Sequence, residues 1–254
     1  MNPYFRKVAG LLFPGRCACC GQPADGTEQL CAACASRIRP ILPPFCPFCG
    51  TSLADCKCRK APHAYEQAAA PFYYEDAIRD ALLRMKYGSR EEVAVFFGTY
   101  LSQTIAMRYF GVPFTLITCV PATRKKTAER GFNQAESLVE QLNLRCFTWL
   151  PEPPLVDCKL LQKWETGEAQ HTLGAEARRE NIRNSYELHR RKRVEGDVIL
   201  LIDDIVTTGA TADEIAVLLR LHGAKAVYVA SAALTRNTGA FGSKKKAEKD
   251  PSEN

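Results

Sequence analysis

Apolar residues gather into a few compact runs, separated by charged stretches or by stretches bearing glycine and proline, and the runs follow two different periods. Ile199, Leu200, Leu201 and Ile202 stand uninterrupted, which predicts a strand covered on both faces, as in a parallel sheet. Thr115 to Val120 (TLITCV) predicts a second such strand, and Ala68 to Tyr74 a third. Helical spacing predicts helices over Ala77 to Lys86, Glu91 to Arg108, Asn133 to Leu144 and Ala212 to His222, with Gly223 placed to cap the last. Strands alternating with helices make an α/β fold, a parallel sheet flanked by helices.

The chemistry sits where the two longest strands end. Asp203 and Asp204 follow Ile202, and then comes a small, hydroxyl-rich loop, Thr207, Thr208, Gly209, Ala210 and Thr211, before the helix. Backbone N–H groups and threonine hydroxyls at a helix start suit a phosphate dianion, while the acids accept hydrogen bonds from sugar hydroxyls. A ribose 5-phosphate satisfies both halves. The other strand ends in Pro121, Ala122, Thr123 and Arg124, followed by Lys125, Lys126 and the pentapeptide RGFNQ, Arg130 to Gln134. Those cations and turn amides, at the carboxyl edge of the sheet, suit a diphosphate; a solvated basic loop is the plainer account of Lys125 and Lys126. Lys86 has two readings as well, a phosphate contact or complementation of a helix dipole.

Three readings compete for ILLIDDIVTTGAT. An ordinary buried strand leaves the paired acids and TTGAT unexplained. A Walker B strand needs a G-x-x-x-x-G-K-[ST] loop upstream, and the chain has none. The third is the phosphoribosyl pyrophosphate (PRPP) loop: the segment resembles the signature of type I phosphoribosyltransferases. The resemblance implies that Asp203 and Asp204 hold the ribose 2′- and 3′-hydroxyls. It implies that Thr207 to Thr211 wrap the 5-phosphate, and that Mg²⁺ accompanies PRPP. It also makes Lys159 to Gln170 a mobile loop that closes over the sugar.

Lys86-Tyr87-Gly88, Val120-Pro121, Arg130 to Gln134 and Ile199 to Thr211, in this order after a cysteine-rich head, resemble the ComF family of bacterial phosphoribosyltransferase-like proteins. Gln170, Leu173, Arg178 and Asn181 match a further series of that family, and the likeness runs from about Phe13 to about Leu234.

Nine of the twelve cysteines lie in the first 58 residues. Cys17/Cys20 and Cys31/Cys34 form two C-x2-C pairs, Cys46/Cys49 a third, and Cys56/Cys58 a tighter C-x-C pair that departs from the family's spacing. Two such pairs make a closed tetrahedral zinc site, so one or two structural Zn²⁺ are expected. A disulfide framework needs an oxidising compartment. A catalytic zinc usually includes His or a carboxylate, and His63 lies beyond the last pair. Cys119, Cys146 and Cys158 are scattered singly; Cys119 reads as a core residue. The chain therefore divides into a zinc head, residues 1–62, a phosphoribosyltransferase-like domain, 63–240, and a polar tail, 241–254, expected to be disordered.

Apolar content of 46% and charged content of 24% over 254 residues describe an ordinary globular chain. Eight thiolates binding two Zn²⁺ reduce the formal charge of +6 to about +2, so overall basicity says little about nucleic acid. The short patch Val8 to Phe13 is no leader or anchor, and a cytoplasmic protein without membrane insertion is expected. Two functions remain open. The ComF resemblance implies a role in DNA uptake and natural transformation, on imported single-stranded DNA and with DNA-uptake proteins as partners. In that role Phe45, Phe48, Arg37, Arg39, Arg59 and Lys60 of the head offer stacking and charge. The alternative is a nucleotide-salvage transferase carrying ribose 5-phosphate from PRPP to a nitrogen nucleophile.

Overall fold

The computed structural model describes residues 15–24, 29–58, 63–88, 90–164 and 185–236. Val8 to Phe13, Arg59, Lys60, the Ala61-Pro62 boundary, the series Gln170, Leu173, Arg178 and Asn181, and the tail 241–254 lie outside the described residues.

The elements run α1 (Ala32–Ala35), β1 (Ala68–Ala69), β2 (Phe72–Tyr73), α2 (Asp76–Tyr87), α3 (Arg90–Arg108) and β3 (Leu116–Cys119). Then follow α4 (Arg124–Arg130), α5 (Gln134–Glu140), a 3-10 turn (Leu144–Cys146), β4 (Leu155–Val156), β5 (Leu161–Lys163), β6 (Tyr186–Leu188), β7 (Val198–Val206), α6 (Ala210–Leu221) and β8 (Ala226–Leu234). One parallel sheet has the order β1-β8-β7-β3-β4, with β2 continuing beside β8. β5 and β6 form a separate antiparallel ribbon.

The unbroken apolar run of β7 has a direct packing cause. Leu200 and Ile202 face one layer, with Ile78, Phe96, Phe97, Leu101, Ile105 and Leu138 of α2, α3 and α5. Ile199 and Leu201 face the other, with Ile215 and Leu219 of α6. Each such fully buried side chain contributes about 1.5–3 kcal/mol relative to exposure. Neither face of the strand meets water, so no polar alternation survives.

Several elements differ from the sequence expectation. The acids do not follow the strand; β7 runs through them to Val206 because β8 pairs with it all the way, Asp203 opposite Ser231 and Val206 opposite Leu234. Pro71 splits the Ala68 to Tyr74 segment into two short strands. The expected helix from Asn133 to Leu144 stops at Glu140 and resumes as a 3-10 turn, which the Asn143 side chain caps at the Arg145 amide. Within the expected closing loop, Leu161–Lys163 is a strand; residues 165–170 lie outside the described residues.

The cysteine-rich head packs onto the sheet and its helices. Cys17, Cys19 and Cys34 belong to the α2/α3 core layer, and Arg84 donates to the Cys17 and Ala18 carbonyls at 2.7 and 2.8 Å. Gly50 (φ +78°) passes so close to β1 that a Cβ there would lie 2.1 Å from the Ala68 carbonyl oxygen. Only glycine tolerates both that conformation and that approach.

Candidate functional site

The strand order reverses between β3 and β7. The chain leaves β3 toward β4 on one side and leaves β7 toward β8 on the other. In open α/β sheets the crevice outside the carboxyl ends at such a reversal is where ligands bind. Here it is a cavity of about 250 Å³.

One wall is the turn after β3. Val120, Pro121, Ala122 and Thr123 line it, and the Val120 amide is still in register, donating to Ile202 at 2.8 Å. Thr123 accepts from the Lys126 amide as the cap of α4, which ends at Arg130. The RGFNQ segment then returns to the same turn. Asn133 donates through Nδ2 to the Val120 carbonyl at 3.0 Å while its oxygen caps α5 at the Ala135 amide. Arg130 donates to Gln134 Oε1 at 3.0 Å. An arginine has no acceptor, so the amide oxygen of Gln134 must face it. Asn133 thus fixes the turn, and Gln134 fixes the guanidinium that lines the cavity.

The facing wall carries the acids. Asp203 Oδ1 accepts from the Asp204 amide and Asp204 Oδ1 from the Ile205 amide, both at 2.8 Å. Asp203 is 9% exposed, and burial, with Asp204 beside it, pushes its carboxyl well above the usual carboxylate range. Thr211 lines the cavity from the first turn of α6, whose N-cap Gly209 is left-handed (φ 75°). Of the other loop residues, Thr208 turns its hydroxyl to the Ala210 amide at 3.3 Å, and Thr207, Thr208, Gly209 and Ala210 are not part of the lining.

Cations complete it: Lys86, Lys126, Arg130 and Lys163. Lys86 lies 3.8 Å from Asp204. Lys163 donates to the Tyr186 hydroxyl at 2.7 Å across the β5/β6 ribbon, so the ribbon forms the third wall. Nothing in the polar stretch around Lys163 marks it in the sequence; only the ribbon brings it in. Arg124 is outside the lining, its guanidinium 5.9 Å from the Trp164 ring. Cys119, behind the turn, is fully buried, and a hydrogen bond to Cys158 together with burial pushes its thiol up, as suits a core residue.

In the head, Cys17, Cys20, Cys31 and Cys34 converge, and so do Cys46, Cys49, Cys56 and Cys58, each set with its sulfurs within 4.8 Å of one another. Tetrahedral zinc with bonds near 2.3 Å sets sulfurs about 3.8 Å apart. Cys20 and Cys31 are at 3.7 Å, Cys46 and Cys58 at 3.6 Å, Cys49 and Cys56 at 3.6 Å. The C-x-C pair, at 3.3 Å, still closes the second set. Burial opposes ionisation of Cys17, yet the backbone amides of Cys20, Cys31 and Cys19 outweigh it and bring the thiol down to about 6. Cys46 is brought to about 7 against its burial by the amides of Cys49 and Phe48. All-thiolate, closed sites of this kind suit structural zinc. Cys19, the spare thiol, is buried, which pushes it up to about 12.

The head residues expected to meet nucleic acid are partly engaged within the molecule. The Arg108 guanidinium covers the Phe45 ring at 3.9 Å, and Arg37 pairs with Asp80 at 3.6 Å.

Among the described residues no helix is long and apolar enough to cross a membrane. Residues 8–66 match the double zinc ribbon domain model. DNA utilization protein YhgH of Salmonella typhi is 30% identical over 230 residues, covering 86% of this chain and 96% of that one. Competence protein ComFC of Bacillus subtilis is 28% identical over 83% of this chain and 85% of its own. Among solved structures, a glutamine PRPP amidotransferase from B. subtilis is similar at 21% identity and a TM-score of 0.36, covering 58% of this chain; the chain spans 30% of that enzyme. Identity at this level, sustained over nearly the whole length of a relative, means that the chain belongs to the ComF family of phosphoribosyltransferase-like proteins with an N-terminal cysteine-rich zinc domain.

Proposed function

We propose that this protein binds PRPP in the β3/β7 crevice and acts in the cytoplasm on single-stranded DNA taken up during natural transformation. The observation that carries the PRPP half is the cavity's polarity. Asp203, Asp204 and Thr211 form one wall, and Pro121 to Thr123 with Arg130 form the other. Ribose hydroxyls donating to the acids add partners for the buried Asp203 carboxyl beyond the one backbone amide it already accepts from. The 5-phosphate takes the Thr211 hydroxyl and free amides of the first turn of α6. The diphosphate takes the turn amides with Lys126 and Arg130, and Lys163 on the ribbon lines the same cavity. The acids offer only carboxylate oxygens, which suits Mg²⁺ with most of its ligands from substrate and water; when bound it neutralises diphosphate charge. The DNA half rests on the relatives, whose names are those of DNA utilization and competence proteins.

Calorimetric titration with PRPP and Mg²⁺ tests the first half; no heat above that of buffer would refute it. A salt-dependent gel shift with single-stranded DNA tests the second, with a steep fall in affinity against log salt as the expected result. Pyrophosphate release from PRPP with one particular base would instead identify a salvage transferase.

A further inference from the structure

A second cavity, of about 380 Å³, opens where the ends of α2 and α4 meet. Lys86, Tyr87, Gly88, Glu129, Arg130 and Phe132 line it. Lys86 and Arg130 line the first cavity too, so the two are contiguous. Each helix brings the same pair of chemistries to this space: a cation in its last turn and an aromatic ring at or just beyond its end. Tyr87 is 79% exposed, a large ring held in water at the cavity mouth, while Phe132 is half-buried.

We infer that this second cavity seats a base of a single-stranded nucleic acid, with its ring stacked on Tyr87 and its backbone phosphate at the rim formed by Lys86 and Arg130, side chains shared with the PRPP cavity. The inference rests on the reading that the protein handles single strands, and it names the surface that does so. Stacking on aromatic rings accepts any base, because every base has a π-face, and a nearby cation steers the backbone. Glu129 gives the rim an acceptor for an exocyclic amine or a base N–H. At the lining Lys86 and Arg130 stand against Glu129, and because Lys86 also lies 3.8 Å from Asp204, Arg130 carries most of the preference for an anion. A free base awaiting the sugar is the other occupant of this chemistry, but sugar transfer requires a site closed to water. A ring as exposed as Tyr87 does not close one. In the head, Phe45 is covered by Arg108 and Arg37 pairs with Asp80, while Phe48 stays exposed, so a head variant serves as the comparison.

The test is fluorescence anisotropy of a labelled oligo(dT) at low salt, with PRPP affinity measured by calorimetry on the same preparations. Tyr87→Ala should weaken oligonucleotide binding about tenfold, and Tyr87→Phe should retain it, because the ring and not the hydroxyl does the stacking. PRPP affinity should stay within about twofold in both, since Tyr87 is outside the first cavity. A head variant, Arg37→Ala with Phe48→Ala, should bind the strand as the unaltered protein does. Unchanged oligonucleotide binding in Tyr87→Ala would overturn the assignment of this cavity while leaving the single-strand reading standing. Absence of binding by the unaltered protein would overturn both, and loss of PRPP binding in Tyr87→Ala would show that the two cavities do not act separately.

Discussion

Lys86 Nζ lies 3.8 Å from the Asp204 carboxylate, joining the last turn of α2 to the acidic strand β7 across the cavity. The two side chains are 19% and 23% exposed, so solvent screens the pair only in part. The lysine does more than complement a helix dipole. It also lines the cavity proposed for PRPP, beside Lys126 and Arg130. Lys86→Met should therefore weaken PRPP binding about tenfold and ribose 5-phosphate binding much less. Calorimetry with the two ligands measures the difference, and equal losses would refute a diphosphate role.

Asp203 sets stability against ligand binding. Its carboxyl titrates well above the ordinary range in the folded protein, so above about pH 4 folding holds an ionisable group where charge is unwelcome. Stability from this source is lost as pH rises from the unfolded value through the folded one. Asp203→Asn keeps an oxygen for the Asp204 amide and removes the charge. It should raise the melting temperature by roughly 2–4 °C at pH 7, with the gain vanishing near pH 3. Together with Asp204→Asn it should abolish Mg²⁺-dependent PRPP binding. Thermal melts across pH check the first outcome and calorimetry the second.

Among the loop threonines, Thr211 and Thr208 should separate. Thr211 lines the cavity, whereas the Thr208 hydroxyl is turned to the Ala210 amide. Thr211→Val should weaken binding of ribose 5-phosphate by about 1–3 kcal/mol, and Thr208→Val by less. Titration with ribose 5-phosphate checks both; a larger loss at Thr208 would mean that the loop turns over on binding.

Metal analysis of the purified protein should find two zinc per chain. Cys20→Ser and Cys58→Ser should each leave one, since each set holds four sulfurs within reach of a single ion. A stoichiometry unaffected by Cys58→Ser would show that the C-x-C pair does not ligate.

Gly50 is where the second cysteine set meets the sheet. Gly50→Ala forces a left-handed residue and a Cβ against the Ala68 carbonyl. The cost should be about 2–4 kcal/mol, read as a lower midpoint in denaturant titration. An unchanged midpoint would mean that the head shifts freely against β1.

Much of this arrangement was legible in the residues. Ile199 to Ile202 reads as a doubly covered strand because both its faces are packed, and the cysteine spacings read as knuckles because only short turns bring paired thiolates to one ion. The strand's end is not marked in the sequence: β7 continues to Val206. Asp203, Ile205 and Val206 remain paired to β8, and a partner strand distant in sequence leaves no mark on local polarity. Pro71, by contrast, is a break visible in the sequence, and it divides the Ala68 to Tyr74 segment into two short strands.

Local order alone established β3, the apolar part of β7, the helices α2, α3 and α6, the cysteine sets and the motifs after β3 and within β7, because period, turn chemistry and ligand spacing are short-range properties. Tertiary structure decided which of those motif residues share one cavity. It left Arg124 beside Trp164, brought in Lys86, Lys126 and Lys163, and let Gln134 hold Arg130. The reason is geometric. A cavity at a sheet's carboxyl edge is assembled from strands and helices far apart in the chain, and their side chains meet only after the sheet order is set.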